Sequence, residues 1–180
     1  MTGSAATELP RATGTRLRRH PVHGSVVLGL LPSQPQPRAA WASLLPVSVT
    51  SPAKARGQAK KFLTHCGGIP SDLIDVSVLL ASEFVTNAYA AMSAEPFPGI
   101  ACIDFSLRLF DDHLLIEVID SSPRIPVPDL TDNSETEGGR GLAVVERMSQ
   151  EWGFFWRNGR KVVFCKLGVP STEYGIESER

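Results

Sequence analysis

The 180-residue sequence has no surplus of charge of either sign. Lys and Arg total 18 against 19 Asp and Glu, a formal net charge of -1. That balance excludes a general nucleic-acid binder, whose affinity comes from neutralising phosphates with a basic surplus. Cysteine is scarce too. Cys66, Cys102 and Cys165 are widely spaced, with no C-x-x-C pair. They fit neither a disulfide framework nor a zinc site, and are expected to be reduced, largely buried thiols. His20, His23, His65 and His113 are scattered without metal-ligand spacing. No uninterrupted apolar run approaches the ~18 residues of a membrane span. Val26–Leu31 follows Arg16, Arg18 and Arg19, but Pro32 ends it below the ~7–15 residues of a signal-peptide apolar region. A cytoplasmic protein without membrane or direct nucleic-acid contact is expected.

What is present suits one domain with tails. The apolar share of 42% supports a real core. Residues 1–40 are rich in Pro, Gly, Ser, Thr and Arg and read as a mobile arm. Residues 41–168 read as the domain and 169–180 as a polar tail. Ser51-Pro52 predicts a helix start, with Ser51 as N-cap and Pro52 in the first helical position. Ala55, Ala59, Phe62, Leu63 and Cys66 keep helical spacing until Gly67-Gly68. Pro70-Ser71-Asp72 opens a second helix, carrying Leu73, Val76, Leu80, Phe84 and Ala88 to about Met92.

In Ala101–Phe110, apolar residues at 103, 105, 107 and 109 alternate with polar ones, which predicts a strand with one wet face. Asp111-Asp112-His113 predicts a turn. In the next strand, parity puts Asp120 on the face of Leu114, Ile116 and Val118. A long Pro-, Ser- and acid-rich loop covers 121–138. A helix is expected from Gly141, with Leu142, Val145 and Met148 on one face. Asn158-Gly159 then joins Trp152–Arg157 to Arg160–Leu167 in a hairpin with a type I′ turn. The order predicts an α+β, two-layer sandwich, with helices on one face of a mixed or antiparallel sheet.

Three features could carry chemistry, each with a plainer alternative. Glu83 and Asn87, four apart, share one helix face and could hold a hydrated cation and orient a hydroxyl, or merely face solvent. Asp120, aimed at the core layer, needs a partner: a purine amine, or the backbone of the turn it opens. Gly138, Gly139 and Gly141 precede a helix, where bare N–H groups could take a phosphate, or act as a hinge. Trp152, Phe154 and Trp156 alternate on one strand and suggest packing or an interface.

In that order, "SEFVTNAYA", "EVIDSSPRIPVP" and "ETEGGRGLAVVERMSQEWGF" resemble the N-box and two glycine boxes of the GHKL, or Bergerat, ATP-binding fold. Gyrase, the ATP-dependent heat-shock chaperones, histidine kinases and MutL share it. The likeness runs from about Ala42 to Leu167. It is nearest to the anti-sigma-factor branch of small serine kinases, as in actinobacterial single-domain ATP-binding regulators. The resemblance implies ATP and Mg²⁺ as cofactors. It implies Asn87 as the Mg²⁺ ligand, Glu83 as the catalytic residue that polarises the nucleophile, and Asp120 as acceptor of the adenine amine. Gly139, Arg140, Gly141 and Leu142 would face the phosphates, with 121–138 as the ATP lid. Partners would be a sigma factor, a STAS-domain antagonist, or both, and relatives often form homodimers.

The sequence departs from the pattern at three places. Ser122 replaces a glycine of the first box. Tyr89–Met92 lacks the basic residue that often follows the N-box. Val162-Val163 stands where many relatives have a threonine near the purine. These departures keep alive a non-catalytic anti-sigma or nucleotide-sensing module of the same fold.

Overall fold

The computed structural model describes residues 36–94, 101–126 and 140–170. In chain order the elements are β1 (Ala39–Pro46), α1 (Ser51–Cys66), α2 (Ser71–Ser93), β2 (Cys102–Leu109), β3 (His113–Asp120), α3 (Arg140–Met148), β4 (Glu151–Arg157) and β5 (Arg160–Gly168). The sheet order is β1-β2-β3-β5-β4, and every neighbouring pair is antiparallel. The expected α+β sandwich is therefore present, and its described sheet is antiparallel rather than mixed. β1 begins at Ala39, inside the stretch expected to be an arm. At the other end Val169 is buried and donates its N–H to the Asp112 carbonyl.

Period two decides which face of the sheet is dry. Register aligns Phe105 with Val118 and Val118 with Val163; Leu107 meets Ile116, which meets Cys165. These side chains join Leu80, Phe84 and Ala88 of α2 and Ala55, Ala59 and Leu63 of α1 in one core cluster. α2 packs on β2, β3 and β5 and carries α1 and α3 at its sides. By length and composition alone α2 could cross a membrane, which the absence of an uninterrupted apolar run did not anticipate. Here its apolar face is spent on the sheet, and Asp72, Asp75, Glu83 and Asn87 interrupt it.

Local signals hold with one correction. The N-cap of α1 is Thr50, not Ser51, and no side chain caps it. The Ser51 hydroxyl turns away and donates to the Pro46 carbonyl at 2.6 Å, tying the helix start to β1. Gly67 and Gly68, both at φ 65°, end α1 in backbone that side-chain-bearing residues seldom adopt. Asn158 at φ 52° and Gly159 at φ 75° are both positive, as a type I′ turn requires. Of the thiols, only Cys165 is fully buried, and burial pushes its pKa up; Cys66 and Cys102 are half-buried and all three are free.

Phe105 is completely buried in the middle of this layer. Phe105→Ala should lower unfolding free energy by about 3–5 kcal/mol, measured by denaturant titration. A loss below about 1 kcal/mol would contradict this placement of the core.

Candidate functional site

Asp120 ends β3 in phase with Leu114, Ile116 and Val118, and is 1% exposed. A carboxylate so placed must be paired. Its Oδ1 accepts the Ser122 N–H at 2.8 Å, so the turn does cap it. A second partner comes from β5. Lys161 is the register partner of Asp120, is 3% exposed, and puts Nζ 3.1 Å from the same Oδ1. Lys161 Nζ also donates to the carbonyls of Ser122 at 3.3 Å and Arg124 at 2.6 Å. One ammonium thus binds the strand-end carboxylate and the first residues of the following loop. Burial raises the Asp120 carboxyl above its usual pKa; the Lys161 charge and hydrogen bond, then the Ser122 N–H, oppose that rise.

Ser122, in place of the expected glycine, is buried, and its hydroxyl accepts the Arg124 N–H at 3.2 Å. The substitution stabilises the turn locally.

α2 supplies the second part of the site. Glu83 and Asn87 are both half-buried, one turn apart. The preceding Ser82 is buried and accepts a 2.6 Å hydrogen bond from Arg56 Nη1, which fixes α2 against α1 at this point. Asn87 Nδ2 is buried without a hydrogen-bond partner among the described residues. Such a group fits a site completed from outside the chain. No group of three or more His, Cys, Asp or Glu side chains that could hold a metal occurs among the described residues. A cation here would rest on the Asn87 Oδ1 and on oxygens brought by a ligand, while the unpartnered Nδ2, a donor, calls for an acceptor such as a phosphate oxygen. That donor set suits Mg²⁺, which commonly takes one or two protein oxygens plus phosphates and water.

The third part is α3. It begins at Arg140, one residue before the expected Gly141, and anchors through buried Leu142 and Val145. Arg140, Gly141 and Leu142 fall in its first turn, where N–H groups have no helical acceptor. Gly139 and residues 127–138 of the expected lid lie outside the described residues. α2, which bears Glu83 and Asn87, packs against both β3, which bears Asp120, and α3.

A helical Glu-x-x-x-Asn, a buried strand-end Asp and a Gly-rich helix start on one layered scaffold agree with a sequence-family match. The profile of the histidine kinase-like ATPase domain covers residues 45–166. The chain belongs to this family. Among solved structures it is similar to the RsbU and RsbW domains of Rv1364c from Mycobacterium tuberculosis. The TM-score is 0.53 at 20% identity, over 75% of this chain and 34% of that one. The chain therefore matches about a third of that structure's length, and the likeness is one of fold. Comparison with curated proteins finds no match.

Lys161 escaped the sequence reading, which placed Val162-Val163 at the purine end. Register puts Val163 opposite Val118 and Val162 opposite Ile119, leaving Lys161 to face Asp120. A signal existed: Lys161 is in phase with apolar Val163, Cys165 and Leu167. Glu117 was also missed. It is buried on the other face of the sheet, paired with Arg108 and 4.0 Å from Arg157. Trp152 and Phe154 pack against the core while Trp156 is exposed, so the alternating aromatics are mostly packing.

The raised Asp120 pKa fixes a sign. In the folded protein this carboxyl holds its proton to higher pH than in the unfolded chain, near ~3.9. Its contribution is therefore most favourable below that value and declines as pH rises through the folded pKa. Unfolding measured across acidic pH should show Asp120→Asn gaining relative to the parent protein as pH rises through this window. A change in the opposite direction would contradict the assignment.

Proposed function

We propose that this protein is an ATP-binding regulator that acts as an anti-sigma-factor-like serine kinase. It would move the γ-phosphoryl group of Mg-ATP to a serine of a STAS-type antagonist. The observation that carries the reading is the buried Asn87 Nδ2, a donor without a partner among the described residues, on the helix that packs against both the Asp120 strand and α3. The Asn87 Oδ1 would hold the Mg²⁺, which neutralises charge on the phosphates, and the Nδ2 would donate to a phosphate oxygen. Glu83, one turn away on the same face, would accept the proton of the attacking serine hydroxyl. Gly139, Arg140, Gly141 and Leu142 would offer backbone N–H groups to the phosphates, and Asp120 would accept from the base. Phosphoryl transfer is mostly positioning and charge neutralisation, so few reactive side chains are needed. A cytoplasmic setting, a sigma-factor partner and a homodimer belong to the same proposal.

One observation favours a second reading, a nucleotide-sensing or anti-sigma module without kinase activity. The purine end is closed down by Ser122 and by the Lys161 hydrogen bonds.

Thermal denaturation tests the binding claim. At about 100 times its Kd a nucleotide adds about 2.7 kcal/mol, or roughly 5–10 °C for a domain of this size. Mg-ATP and Mg-ADP should give that shift, and Asn87→Ala should abolish most of it. An equal shift in Asn87→Ala would count against the site. Labelled ATP with a STAS partner separates the two functions: transfer lost in Glu83→Ala with binding kept supports the kinase, and binding without any transfer supports the sensor.

A further inference from the structure

β1 is an outer strand of the sheet, and among the described residues it pairs with β2 alone. An edge strand turns every second N–H and C=O outward, and natural edges are commonly blunted by charge, proline, a bulge or a cover. β1 has little of that protection. Its eight residues, AAWASLLP, carry no charge, and the single proline is the last of them. Trp41 is 42% exposed and Leu44 71%. Register sorts the strand into two faces. Trp41, Ser43 and Leu45 stand opposite Leu107, Phe105 and Ile103, on the side of the helices. Ala40, Ala42 and Leu44 stand opposite Arg108, Ser106 and Asp104, on the open side, and all three are exposed.

We propose that the free edge of β1 is the docking site of the chain's own Val26–Leu31, which adds to the sheet as an antiparallel strand. Three observations select this occupant. The first is its chemistry. VVLGLL is an apolar run outside the described residues, bounded by Gly24-Ser25 and Pro32, the pattern of a short strand between turn signals. The second is the tether. Seven residues, 32–38, separate the run from β1. Their reach of about 23–25 Å far exceeds the ~4.8 Å between neighbouring strands, and so short a link holds the run at an effective concentration in roughly the millimolar range. Pro32, Pro35 and Pro37 have no N–H to give to a ladder, so pairing is confined to the run and to β1. Directly after them the Arg38 N–H donates to the Leu109 carbonyl, where the chain enters the sheet.

The third observation is the match of the two segments. A connection that uses all seven residues sets Leu31 opposite Ala39 and Val26 opposite Leu44. Leu30, Leu28 and Val26 then stand beside Ala40, Ala42 and Leu44 on the open side, apolar against apolar. Gly29 falls opposite Trp41, an aromatic across from a bare backbone, which is how edge glycines are compensated. This contact needs no nucleotide.

Hydrogen exchange of the full chain, followed by mass spectrometry, tests the contact from both sides. In the parent, the amides of 26–31 should exchange about tenfold or more slower than an unstructured chain, because a docked strand must open first. Leu28→Asp combined with Leu30→Asp should return 26–31 to the free rate and speed exchange in 39–46. Leu44→Lys, a charge of the kind that blunts natural edges, should release 26–31 as well. Ser33→Asp, which charges only the connection, should behave as the parent. Protection of β2, β3 and β5 should be unchanged in every variant, which reports an intact fold. Exchange of 26–31 at the free rate in the parent overturns the proposal. So does protection of 26–31 that survives Leu44→Lys, which would place the run elsewhere. Protection of 39–46 that ignores the arm substitutions and falls on dilution would assign the edge to a second copy of the chain, and overturns it equally.

Discussion

Asp120 closes a row that begins Leu114, Ile116, Val118, and strand geometry gives it no choice of face. The backbone that carries three apolar side chains into the core carries the carboxylate in after them. Removing such a group from water is tolerable only if hydrogen bonds and opposite charge replace the lost hydration. Lys161 across the ladder and the Ser122 N–H supply that replacement. The same ammonium reaches two carbonyls of the next turn, so one buried ion pair joins β3, β5 and the base of the β3–α3 loop. The geometry of the Asp120 end of the candidate site follows from it.

The rest of the site depends on α2 in a more ordinary way. Leu80, Phe84, Ala88 and Met92 bury one side of the helix against the sheet. Glu83 and Asn87, at the border of that buried side, are left half-buried on the helix that also packs against α3. Arg56, bonded to Ser82, holds the helix just before Glu83 and Asn87. The two ends of the site are thus built differently. The α2 end keeps the buried Asn87 Nδ2 without a partner among the described residues, whereas the Asp120 end is already filled with internal hydrogen bonds.

Much of the architecture was legible because hydrophobic period is local. The alternation in Ala101–Phe110 and the 3.6-residue spacing of Leu73, Leu80, Phe84 and Ala88 gave β2 and α2 nearly residue by residue. Asn158-Gly159 gave the last hairpin through its need for positive φ. The parity of Asp120 was readable for the same reason. Its main partner was not. Lys161 lies 41 residues later, and pairing across β3 and β5 is set by how the whole sheet closes. The capping of α1 failed on a similar point, because Ser51 prefers a carbonyl of β1 that only the fold brings near. Strand order is also non-local: β5 sits between β3 and β4, which no spacing in the sequence dictates.

A double-mutant cycle on Asp120 and Lys161 tests the central claim most directly. Asp120→Asn, Lys161→Met and the double variant are unfolded in denaturant at neutral pH beside the parent. Each single change strands a buried polar group, so the double variant should be more stable than the sum of the single losses implies. The predicted coupling is about 1–3 kcal/mol. Losses that add to within about 0.3 kcal/mol would mean the two side chains do not sustain each other, and would contradict the account.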